Sequence, residues 1–205
     1  AVILSVAAFL TATVIGVGCS KAKEGQLPSY KDGDTWTYET SYEGSYYTVT
    51  YEATGEESVD GKDCWIIKQT ISPALMGISS TTGKYNKTSL FPLQVQGSGS
   101  IMGMPFSASV TYSYQPSEAS YYPLEVGNEV TVTETMTTTS EAAGQTQTET
   151  ETTTHTYKVE AVEEITVEAG TFNCFKITDG STTIWYSDEV KQDVKRIEAV
   201  SYTHL

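Results

Sequence analysis

Three cysteines and one histidine inside the patterned part of the chain are the residues with chemistry to offer. Cys19 ends an apolar run that extends from Val2 to Val17, in the setting Gly16-Val17-Gly18-Cys19-Ser20. A thiol placed after small side chains at the end of such a run is suited to thioether acylation, and each buried CH₂ of an acyl chain adds about 0.8 kcal/mol of membrane affinity. Cys64 and Cys174 remain as a pair. They are candidates for a disulfide and equally for two separate buried thiols, because spacing along the chain does not fix the distance between Cα atoms.

His155 lies in a Thr-rich strand pattern and His204 close to the last residue. No G-x-S-x-G elbow accompanies His155, and the cysteines lack C-x-x-C or Cys/His metal spacing. No Gly-Lys-Ser/Thr loop is present to hold phosphates. Asp60, Asp63, Asp179, Asp188 and Glu189 fall in turns without the spacing of a calcium loop. The expectation is a protein that is not an enzyme, with no metal and no cofactor beyond a covalent diacylglycerol on Cys19. The net charge of −14 disfavours nucleic acid, whose field would repel it.

The segment around Cys19 resembles a lipobox, with Gly16 where an aliphatic residue is usual. The chain opens on Ala1 rather than Met, so a basic stretch is expected upstream. The division that follows is a leader over 1–18, a flexible tether over 19–28, a single β domain over 29–198 and a doubtful tail over 199–205. That tail, Ala199-Val200-Ser201-Tyr202-Thr203-His204-Leu205, departs from the rhythm before it. An extracytoplasmic, membrane-anchored protein of the cell envelope is the implied setting, where disulfides also persist.

The elements that must position side chains are strands. Trp36 and Tyr38 share one face of Thr35-Trp36-Thr37-Tyr38-Glu39, and the same alternation recurs through Tyr47–Tyr51, Ser107–Tyr114, Val130–Met136, His155–Val162, Cys174–Thr178 and Thr182–Tyr186. The expected fold is all-β with little helix: a curved antiparallel sheet, half-barrel or open barrel, built from two repeated β-meanders over about 29–92 and 121–198. Asp32-Gly33-Asp34 answers to Val126-Gly127-Asn128, Tyr51-Glu52-Ala53 to Val159-Glu160-Ala161, and Cys64-Trp65-Ile66-Ile67 to Cys174-Phe175-Lys176-Ile177. Thr137–Thr154 reads as an exposed hairpin inserted in the second copy, a protruding ribbon too poor in apolar residues to bury a face. Gln94–Phe106 mixes glycines with Met102, Met104 and Phe106, and a loop tucking these into the core is the favoured reading.

Val167-Glu168-Ala169-Gly170-Thr171-Phe172-Asn173-Cys174-Phe175-Lys176-Ile177, followed by Ile184-Trp185-Tyr186-Ser187 and Val194-Lys195-Arg196, carries a family likeness. The stretch from Gly127 to Glu198 resembles uncharacterised prokaryotic envelope lipoproteins, which are similar to the LolA/LolB-like class of half-barrel lipoprotein carriers. The resemblance implies a concave aromatic face, including Trp36, Tyr38, Trp65, Trp185 and Tyr186, that takes an apolar ligand, a lipid or an envelope protein. The alternative is a cell-surface interaction or structural module that uses the hairpin 137–154.

Overall fold

The computed structural model describes residues 2–5, 24–42 and 44–198. Cys19, most of the leader and the tail 199–205 lie outside the described residues.

The alternating pattern becomes strands β1 (Val2–Ser5), β2 (Thr35–Tyr42), β3 (Ser45–Val59), β4 (Lys62–Leu75), β5 (Ile78–Asn86), β6 (Pro92–Ile101), β7 (Met104–Gln115), β8 (Glu129–Ala142), β9 (Gln145–Val167), β10 (Gly170–Thr178), β11 (Thr182–Ser187) and β12 (Gln192–Glu198). From β2 onward each strand pairs antiparallel with the next, and the sheet curls into a barrel. β1 falls in the stretch expected to be leader. It lies antiparallel between β12 and β2, with Leu4 opposite both Arg196 and Thr40, so a four-residue strand alone closes the seam. No helix is present among the described residues. The all-β, curved antiparallel expectation holds, and the sheet comes further round than a half-barrel.

The duplication is visible in backbone hydrogen bonds. Gly33 donates to Ala53 and Gly127 to Val159, each over 2.8 Å; the return bonds, Ala53 to Asp34 and Val159 to Asn128, are each 2.9 Å. Both glycines sit at positive φ, 88° and 95°, where a side chain would strain the turn. Each copy also carries two bulges in matching places. Thr54 is left over between β3 and β4 as Glu160 is between β9 and β10. Leu93 is left over between β5 and β6 as Val194 is between β11 and β12. A bulge sharpens local twist, which a sheet needs to close. These bonds make Val159 the counterpart of Ala53, and Tyr157 that of Tyr51. The sequence match of Ala53 with Ala161 is thereby corrected by two residues, a slip that keeps every side chain on its face and so leaves the alternation unchanged.

β7 lies between β6 and β8, and the half-turn equivalent of that slot is the seam between β12 and β2. One barrel end is stopped by two corresponding segments, residues 24–34 before β2 and 116–128 before β8. Gly25 and Leu124 form an isolated bridge, Leu124 is fully buried, and Tyr30 packs edge-on against Trp36 and Trp65 at 5.0 and 5.6 Å. The described part of the expected tether is therefore bound: Gln26 accepts from the Tyr186 hydroxyl and its amide donates to Asp188. Its few apolar residues hid this, because the segment is held by backbone groups rather than by side chains.

At the opposite end the wall is uneven. β8 and β9 continue far beyond the β10–β11 turn and meet in a hairpin through Ala143 and Gly144, both at positive φ. The predicted hairpin over 137–154 is present, but β8 stays paired with β7 up to Ala142, so it is part of the tall wall rather than a free ribbon. Met102 is 95% exposed at the β6–β7 tip, with Met104 and Met76 also exposed nearby. The expected tucking of the Gln94–Phe106 loop is overturned, since the hairpin is tight and leaves these side chains no core to reach.

Candidate ligand cavity

Strand alternation turns one residue in two toward the barrel axis, and in this chain many of those residues are tyrosines. Between the stopped end and the uneven rim they line a cavity of about 450 Å³. Eight tyrosines border it, among them Tyr38 from β2, Tyr51 from β3, Tyr85 from β5, Tyr157 from β9, Tyr186 from β11 and Tyr121 from the stopping segment. Burial pushes the phenols of Tyr51 and Tyr157 up to about 12 and those of Tyr38, Tyr121 and Tyr186 well above their ordinary value. At neutral pH they are uncharged aromatic surfaces with a polar tip, suited to holding an amphipathic molecule.

The cavity also contains charge. Arg196, the only arginine in the chain, projects into it from β12. Its Nε and Nη2 donate to Asp193 Oδ2 over 3.1 and 2.6 Å, and Nη1 stands 3.8 Å from Glu198. Arg196 is enclosed by the barrel yet keeps 39% of its side-chain surface open to the cavity space. Burial works against its charge, but Asp193 outweighs that and raises the pKa, so the guanidinium is permanently charged. Glu134 and Asp179 also line the space. Asp179 accepts from the amides of Ser181 and Thr182 and from the Ser181 hydroxyl, and its other oxygen is 3.4 Å from His155 Nδ1. His155 itself stacks on Tyr157.

Of the five aromatic residues expected on a ligand face, Tyr38 and Tyr186 line the cavity. Trp36 and Trp65 pack below it: the Trp36 indole donates to Val190 O over 2.9 Å, and Lys87 Nζ sits 4.1 Å above the Trp65 ring. Trp185 lies on the other face of its strand, opposite Lys176 and Lys195, and donates to Glu163. Its neighbour in sequence faces inward, so a single strand splits the expected pair between two faces. Cys64 and Cys174 are buried free thiols in different clusters, on β4 and β10 at opposite walls of the barrel. Asn86, at the end of β5, is buried, and its side-chain oxygen accepts from the Thr88 amide and hydroxyl, which caps the turn into Ser89.

Sequence reading gave Arg196 no role beyond the closing Val194-Lys195-Arg196 segment and missed Asp193 and Glu134. A lone arginine within Val194-Lys195-Arg196-Ile197 was the available signal. Tyr51 and Tyr157 were detectable too, since each stands two residues from an apolar residue of its own strand that is buried, Val49 or Val159. Among the described residues no group of three or more His, Cys, Asp and Glu side chains is placed to hold a metal ion.

Residues 100–198 match the family described as DUF3108-like, which spans β7 to β12, one half of the barrel. No curated protein and no solved structure matches the chain.

Proposed function

We propose that this chain is a lipid-anchored protein of the cell envelope, outside the cytoplasm, whose barrel interior binds a small, largely apolar ligand. The observation that carries the reading is the tyrosine-lined cavity, about 450 Å³, which lies within the size range of small-molecule sites. The likeness to half-barrel lipoprotein carriers supports the same direction. Binding rather than catalysis is favoured by the lining phenols, which burial raises above their ordinary value, and by Asp179, which is committed to donors of its own turn.

Processing at Cys19 removes β1 and leaves the edges of β2 and β12 facing one another beside Arg196. That seam is an entry route for a ligand too large for the rim. The stretch from Cys19 to Glu24 spans at most roughly 18 Å, so the stopped end of the barrel faces the anchoring membrane and the methionine-bearing hairpins face away.

The test has two arms. Cys19→Ala should release the protein from membranes, and continued retention counts against the anchor. Native mass spectrometry and solvent extraction of the purified chain should show a co-purifying small molecule that is lost in Tyr157→Trp, a substitution that fills the cavity; unchanged extracts from both proteins defeat the carrier reading.

A surface-contact role is the second reading, favoured by one observation. On the outer face of the β8–β9 hairpin, threonine hydroxyls pair across the strands at 131/156, 133/154, 135/152, 137/150 and 139/148, with oxygens 3.0 to 3.3 Å apart. The distal half of β9 has no strand on its other side among the described residues, which leaves an edge able to accept a partner strand. Lysines at 149 and 151 in place of the glutamates should abolish partner capture under this reading and leave ligand extraction unchanged.

A further inference from the structure

The cavity's charge identifies what its ligand carries. Four carboxylates border it, from Glu134, Asp179, Asp193 and Glu198, against one guanidinium and no lysine. The guanidinium is spent on Asp193 and leans toward Glu198. Asp179 is satisfied by its own turn and by His155. Glu134 differs from all of these. It projects from β8 opposite Tyr114, whose phenol lies close enough to feel its charge, and it takes part in none of the ion pairs of the described residues, so no cation among them offsets it.

Around that carboxylate the wall is aromatic. Phe91 lies 4.8 Å from Tyr114, 5.5 Å from Tyr121 and 5.7 Å from Tyr157, ring centre to ring centre. Phe91, Tyr121 and Tyr157 border the same cavity as Glu134, and Tyr157 lies near enough to feel its charge. Ring faces carry negative potential and attract a cation within about 6 Å, most strongly when water is excluded. A neutral apolar ligand gains nothing from Glu134, and an anion is repelled by it. The net charge of −14 adds a long-range field of the same sign that draws cations toward the barrel.

Building on the cavity reading above, we infer that the ligand is an organic cation, an amine or quaternary ammonium on an apolar body, with its positive end between Glu134 and the rings of Phe91, Tyr121 and Tyr157. The body extends along the tyrosine-lined wall of the cavity.

Three probes that share a six-carbon chain and differ in charge test this: hexyltrimethylammonium, hexan-1-ol and hexanoate, titrated calorimetrically into the purified full chain. The cation should bind at least tenfold more tightly than the alcohol, and hexanoate most weakly. Glu134→Gln should cut the affinity for hexyltrimethylammonium about tenfold and leave that for hexan-1-ol unchanged, the alcohol serving as the check that the cavity is intact. Tyr157→Leu should weaken the cation more than the alcohol. Equal binding of cation and alcohol, tightest binding of hexanoate, or an indifferent Glu134→Gln overturns the cation assignment while leaving an enclosed ligand site standing. No binding of any probe removes the site itself.

Discussion

Gly25 and Leu124 exchange two backbone hydrogen bonds, each 2.8 Å long, and so join the two segments that stop one end of the barrel. The contact is so close that a Cβ on Gly25 would lie 2.7 Å from the Phe175 ring and 2.9 Å from Leu124 Cβ. Both neighbours are buried, with Leu124 at 0% exposure, so neither has room to move. Gly25→Val should therefore lower stability by about 1–3 kcal/mol, the usual cost of overpacking. A urea midpoint equal to that of the parent protein would show that the stopper is not seated as described.

How far the sequence led depends on what each residue does. Trp36 and Tyr38 announced a strand with one aromatic face, and the glycine turns at Gly33 and Gly127 announced the duplication, because alternation and positive φ are local properties. Which aromatic residues reach the cavity was not local. Trp185 and Tyr186 are neighbours on opposite faces, and only the bulge at Val194, a feature of pairing, brings Asp193 and Arg196 to the same side as Tyr186. Glu134 looked like one more polar residue in a Thr-rich run, since nothing in its own segment shows that β8 turns it inward. The bound state of Glu24–Pro28 was hidden for the same reason, its partners being some hundred residues or more away.

The two buried thiols should be unreactive in the native protein. Burial pushes Cys174 up to about 12, with Glu163 adding to it, and raises Cys64 as well. The thiolate is the nucleophile, so at pH 8 neither should be alkylated by iodoacetamide within the time that a free thiol reacts completely. Both should label in denaturant, and no disulfide should form between them under oxidising conditions, because β4 and β10 stand on opposite walls. Rapid labelling of either, read by intact mass, would contradict the burial.

Acid should act on the fold through Asp179. Burial tends to raise its pKa, but the amides of Thr182 and Ser181, the Ser181 hydroxyl and His155 outweigh burial and hold it below the ordinary value. A carboxylate depressed in the folded state contributes stability that is present above its unfolded value near 3.9 and lost as pH falls through the folded one. Asp179→Asn should therefore cost stability at pH 6, and the gap to the parent should close as the pH falls below the ordinary carboxylate range. Asp188 has the opposite sign, since burial raises it. Its substitution by Asn should relieve a penalty at neutral pH and have no such effect in acid. Denaturation curves at a series of pH values separate the two.

Arg196 is the last case, and it sets how much of the barrel's stability depends on charge inside the cavity. Its fork holds Asp193 through two nitrogens and is opposite Leu4 in the seam, so it braces β12 where the sheet closes. Removing one member of a buried pair typically costs 3–5 kcal/mol, but this guanidinium keeps cavity exposure that screens the loss. Arg196→Met should therefore cost about 1–3 kcal/mol. Arg196→Lys should recover only part of it, because an ammonium lacks the planar fork. The uncompensated Asp193 is the cause, so adding Asp193→Asn to Arg196→Met should restore stability beyond additivity. If the double variant is simply the sum of the singles, the pair is not coupled, and β12 is held by Val194 and Ile197 packing instead.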